Sequence, residues 1–109
     1  MELAVQVLDS VESKNKWFSA KDAKKRNAEC CTLYTEEQKV RAERMKMALS
    51  LVYDSIMFID YRKKFIAVKV QAPQVTSSKQ LALLELAYAE EGIKKVVTAQ
   101  GVIYRIARK

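Results

Sequence analysis

The chain has 109 residues, half of them hydrophobic, with 20 Lys+Arg against 13 Asp+Glu and a formal net charge of +7. That length fits one small domain spanning 1–109, with residues 1–18 as a possible N-terminal extension, and the apolar content suffices for a core. No apolar run exceeds four residues, which excludes a transmembrane helix and a signal-peptide core. Two glycines cannot build a dinucleotide-binding turn or a Walker-type phosphate loop, and the absence of histidine removes imidazole catalysis and most zinc sites.

Met1 to Ser13 is compatible with two periods, since Leu3, Ala4, Val7, Leu8 and Val11 form a helical stripe while Leu3, Val5, Val7 and Val11 alternate as in a strand. Length and the lack of a turn partner favour a helix. Ser13-Lys14-Asn15-Lys16 reads as a polar turn. Ser19 has the character of an N-cap, opening a helix from about Ala20 to Cys31. Thr35-Glu36-Glu37-Gln38 is a capping box. Beyond it Met45, Ala48, Leu49, Val52, Ile56 and Ile59 fall three and four apart, predicting one long helix to about Asp60.

Phe65-Ile66-Ala67-Val68-Lys69-Val70 reads as a strand that ends before Ala72-Pro73. Ser77-Ser78-Lys79-Gln80 opens a leucine-rich helix, with Gly92 placed for a left-handed C-terminal cap. Lys95 to Ala99 and Val102 to Ala107 flank Gln100-Gly101 as a hairpin. A three-residue loop, Ala99 to Gly101, would set Lys95 opposite Arg105; a two-residue turn would pair Lys95 with Ile106. The predicted order is therefore α-α-α-β-α-β-β, an α+β domain with a small three-stranded sheet covered by helices, one of them long.

The Ala20-Lys21-Asp22-Ala23-Lys24 opening, the long helix, the short strand, the leucine-rich helix closed by Gly92-Ile93 and the final Val102-Ile103-Tyr104-Arg105-Ile106 strand resemble small accessory proteins of tailed bacteriophages. The resemblance spans residues 19 to 107 and implies a viral origin, with action in the host cytoplasm. It carries over no catalytic residues, and the segment before Trp17 has no counterpart in it.

Cys30 and Cys31 are adjacent, a spacing that strains a mutual disulfide and lacks the further ligands a metal needs. One buried and one partly exposed free thiol, in a reducing cytoplasmic setting, is the expectation. The acids do not form an obvious acid–base pair: Glu36-Glu37 belong to a helix start and Glu90-Glu91 to a helix end. Asp60 is expected to pair with Arg62-Lys63-Lys64. The chain reads as a non-enzyme with no catalytic residue, no metal, no cofactor and no small-molecule substrate.

The cations are uneven. Residues 93–109 hold Lys94, Lys95, Arg105, Arg108 and Lys109 without an acid, and Lys21, Lys24 and Lys25 share a helical face beside Arg26. Nucleic-acid binding through the basic helix and the C-terminal hairpin follows, with Lys21, Lys24, Lys25, Arg26, Arg62, Lys63, Lys64, Lys95, Arg105 and Arg108 as the contact residues. Aromatic side chains for base stacking are few, with Trp17, Phe18 and Tyr104 the candidates. The alternative is a protein-directed inhibitor or modulator that docks on an acidic host protein. The apolar stripe from Met45 to Ile59 predicts a homodimer through the long helix.

Overall fold

The computed structural model describes residues 5–8 and 20–108. Its elements are β1 (Val5–Leu8), α1 (Ala20–Cys30), a 3-10 turn (Cys31–Leu33), α2 (Glu36–Ser50), β2 (Ile56–Tyr61), β3 (Phe65–Gln71), α3 (Ser78–Glu90), β4 (Lys94–Thr98) and β5 (Gly101–Ala107). The strands form one five-stranded sheet in the order β1-β4-β5-β3-β2. Strands β2 to β5 pair antiparallel, and β1 joins the β4 edge in parallel.

This corrects the three-stranded sheet and the α-α-α-β-α-β-β order in two places. Within Met1–Ser13, residues 5–8 are a strand, because Val5 and Val7 find a parallel neighbour in β4 and need no adjacent hairpin partner. The long helix also stops at Ser50. Its continuation is captured by a distant segment: Asp54 N–H donates to the Gln74 carbonyl and Thr76 N–H to that of Val52, beside a Tyr53–Val75 bridge. Ile56 to Tyr61, rich in β-branched and aromatic residues, then pairs with β3 as a hairpin.

Local signals hold where the hydrogen bonds are local. Thr35 caps α2 with both halves of the box present, its hydroxyl accepting from Gln38 N–H and its own N–H donating to the Gln38 side chain. Ser77 accepts from Gln80 N–H at the start of α3. Gly92, at φ 78°, closes α3: its N–H reaches the Ala89 carbonyl and Ile93 N–H that of Tyr88. Those two bonds make a Schellman motif, with buried Ile93 and Tyr88 in the same apolar cluster. The Ser19 cap, the Ser13–Lys16 turn, Trp17 and Phe18 lie outside the described residues.

One sheet face carries the main core. Ile59, Ile66, Val68, Val70, Val102, Tyr104 and Ile106 pack there with Met45 and Leu49 of α2 and Leu81 and Tyr88 of α3. Ala67, Val96 and Ile103, buried on the other face, form a smaller cluster with Phe65. Helix α1 lies against β2, and its Asn27 seals that edge strand. The Asn27 amide donates to the Ile59 carbonyl at 2.8 Å while its oxygen accepts from Tyr61 N–H at 2.7 Å. One carboxamide thus supplies two of the bonds that a further strand would make to β2, and shortens the edge open to aggregation.

Candidate functional site

Asp60, on the edge strand β2 and facing the second side of the sheet, is fully buried and holds three cations. Arg26 from α1 binds both carboxylate oxygens, at 3.0 and 2.8 Å; Lys69 Nζ donates to Oδ2 at 2.7 Å and Arg62 Nε to the same atom at 3.2 Å. Burial alone would push the Asp60 carboxyl up, but the donors from Arg26 and Lys69 outweigh it and hold the group at about 2. Burial draws Lys69 down to about 8 against the opposing pull of Asp60, which leaves it charged at neutral pH. The carboxylate is acceptor-only and saturated by donors. Its role is to fasten α1, β2 and β3 together.

The expected pairing of Asp60 with Arg62 is therefore present, but Arg26 and Arg62 are turned inward rather than held out for a ligand. Lys69 belongs with them and was not anticipated. A lysine in the otherwise apolar run Phe65 to Val70 was its only mark in the sequence.

Lys95 is also spent internally. It faces the main core side, where Nζ lies 2.6 Å from Glu85 Oε2 and 5.9 Å from the Tyr104 ring centroid. Tyr104 donates to the same Glu85 oxygen at 2.6 Å and shares a 2.9 Å hydrogen bond with Tyr53. Burial, reinforced by Glu85 and Tyr53, raises the Tyr104 hydroxyl far above its ordinary value. Tyr104 is a core residue and offers no ring for base stacking.

The β4–β5 register explains the inversion. Lys94 pairs with Arg105 and Lys95 with Tyr104, so neither register anticipated for Lys95 occurs. A pairing of Val97 with Val102 makes the connection four residues long, Thr98 to Gly101. The Thr98 hydroxyl fixes it, accepting from Gln100 and Gly101 N–H and donating to the Gly101 carbonyl. Lys94, not Lys95, is consequently on the face with Arg105.

Three further cations converge at that end of the sheet. Lys64, Lys94 and Arg105 line one cavity of about 170 Å³ together with Phe65 and Gly92. The Arg105 guanidinium lies 4.4 Å from the centroid of the Phe65 ring, so its plane is positioned by packing. Burial, then the nearby Arg62, lowers the Arg105 pKa. Arg108 closes the rim: its N–H donates to the Lys64 carbonyl and its Nη1 to that of Lys63, both at 3.0 Å, while its own carbonyl accepts from Gln38. Lys63 and Lys64 are exposed, as is Lys94.

Lys21, Lys24 and Lys25 sit on the exposed side of α1 at the opposite flank of β2 from β3, and Lys24 lines a separate cavity of about 300 Å³ with Lys46 and Glu43. They form a second basic strip. Cys30 is buried and Cys31 half-buried, both as free thiols. Among the described residues no three Cys, Asp or Glu side chains gather as a metal site, and no helix is long and apolar enough to cross a membrane.

No protein-family profile, curated protein or solved structure matches the chain.

Proposed function

We propose that this chain is a non-enzymatic nucleic-acid-binding protein that grips the phosphate backbone at the end of its sheet. The observation that supports this reading is the shared cavity of Lys64, Lys94 and Arg105, flanked by Lys63 and Arg108. Cations from three strand ends on one concave surface repel one another, and phosphate oxygens relieve that repulsion while releasing condensed counterions. Arg105, stacked on Phe65, presents a fixed fork suited to a phosphate, and the lysines act as point charges around it. The contacts are to backbone rather than to base edges, so the protein binds with little sequence preference. The free, adjacent cysteines suit a reducing, cytoplasmic setting.

The test is fluorescence anisotropy with labelled single- and double-stranded oligonucleotides. The Lys64→Gln, Lys94→Gln double variant is expected to lose most binding. The triple Gln replacement of Lys21, Lys24 and Lys25 should retain most of it. Absence of binding by the wild-type chain to every oligonucleotide, or an unaffected double variant, overturns the reading.

A further inference from the structure

Helices α2 and α3 cover the main core side by side but leave a groove between them. At one end Glu36, Glu37, Arg41 and Arg44 of α2 line a cavity of about 770 Å³ with Tyr88 and Glu91 of α3. At the other, Ala48 and Leu51 meet Gln80 and Leu83 around a hollow of about 360 Å³. The start of α2 is therefore beside the end of α3, and the helices run antiparallel. Leu51, 75% exposed, and Leu83, 61% exposed, line that hollow, and Met47 (69%) and Leu86 (51%) are exposed on the same two helices, apolar surface that a lone domain of this size ordinarily hides.

We propose that a second copy of this chain occupies this groove, with α2 of one protomer laid on α3 of its partner, twice over, about a two-fold axis running along the groove. The argument is charge and apolar complementarity between the two helices. A two-fold axis parallel to the helices keeps each level of the groove in register, so α2 of one copy meets α3 of the other at the level where the two already lie side by side. At the apolar end this stacks Ala48 and Leu51 on the Leu83 region of the partner. At the charged end it brings Arg41 and Arg44 to the last turn of the partner's helix, where Glu90 and Glu91 are exposed. Among the described residues, neither arginine and neither glutamate makes an ion pair within its own chain. Four helices sandwiched between two sheets result. This proposal stands independently of the nucleic-acid reading.

Sedimentation velocity at tens of micromolar tests it with the full chain. Wild type is expected at twice the chain mass. Two exposed charge-reversal variants, Arg41→Glu with Arg44→Glu and Glu90→Arg with Glu91→Arg, should each be monomeric, because each opposes like charges across both copies of the contact. Circular dichroism confirms that each variant is folded. Mixed together, they should recover the dimer, since every arginine again faces a glutamate. A wild-type monomer, variants that remain dimeric alone, or folded variants that fail to associate on mixing would each overturn the proposal.

Discussion

Lys94 and Arg105 stand directly across from each other in the β4–β5 ladder, two cations paired on one face of the sheet. Like charges in that position destabilise a strand pair by a few tenths of a kcal/mol to about 1 kcal/mol. Arg105 is held there by the Phe65 ring beneath it and Lys94 by the strand that carries it, with Lys64 beside both. The Lys94–Arg105 pairing by itself therefore costs stability, whatever each side chain gains from its other contacts.

Two substitutions at this pair should separate. Lys94→Gln removes the repulsion without removing packing, and is expected to raise stability by about 0.5 kcal/mol at low salt. Arg105→Ala also strips the guanidinium from Phe65 and should lower stability by about 0.5–1 kcal/mol. Both should weaken nucleic-acid binding. Thermal melts at low ionic strength check the opposite signs, and equal signs would refute the account of Arg105.

The Asp60 cluster predicts an asymmetry. Asp60→Asn leaves buried Lys69 without its carboxylate and is expected to cost roughly 3 kcal/mol. Lys69→Met leaves Asp60 bound by Arg26 and Arg62 and fills the space with apolar volume, so its cost should be below about 1.5 kcal/mol. Urea midpoints of the two variants decide it. A Lys69→Met variant as damaged as Asp60→Asn would show that the lysine, not the carboxylate, anchors the cluster.

Acid stability should follow from the same group. Asp60 is depressed from its ordinary 3.8 to about 2 in the fold, so the unfolded chain takes up its proton first as pH falls. The stabilisation is whole above about pH 4 and is lost toward pH 2, amounting to about 2 kcal/mol. Unfolding free energies across that interval should show this step in wild type and not in Asp60→Asn. A step of equal size in the variant would assign it to another carboxylate.

Ala72 has φ 48°, in the left-handed region, where its N–H donates to the Gln100 carbonyl at 2.8 Å and its own carbonyl accepts from the Ser55 hydroxyl. A β-branched side chain tolerates that backbone poorly, so Ala72→Val should cost about 1–2 kcal/mol. Ala72→Gly relieves the strain but frees the unfolded chain, for a net gain of roughly 0.5 kcal/mol. Melting temperatures of the pair test the ordering Gly above Ala above Val.

What could be read from the sequence was decided locally. Thr35 and Gln38 are three residues apart, and Gly92 acts on carbonyls within its own helix, so their signals needed no knowledge of the rest of the chain. Ile56 and Ile59 fit a helical stripe as well as a strand, and the competition was settled by Gln74 and Thr76, which bond to residues some twenty positions earlier. Strand β1 depends on β4, at the far end of the chain. The candidate site divides the same way. Lys64, Arg105 and Arg108 were visible as clustered charges. Which cations turn inward was not, because Asp60 captures Arg26 and Arg62, and Glu85 captures Lys95, only once the sheet has formed. One residue of hairpin register exchanged Lys95 for Lys94 on the face with Arg105, since side chains alternate along a strand.

The central claim, that phosphates are neutralised at the Lys64–Lys94–Arg105 end of the sheet, is most directly tested by the salt dependence of binding. The logarithm of the association constant for a duplex oligonucleotide should fall linearly with the logarithm of salt, with a wild-type slope of roughly −3 to −4 for contacts by most of the five clustered cations. Lys64→Gln with Lys94→Gln should make that slope shallower by about 2, at nearly one unit per lost phosphate contact. A wild-type affinity indifferent to salt, or a double variant with the wild-type slope, would contradict it.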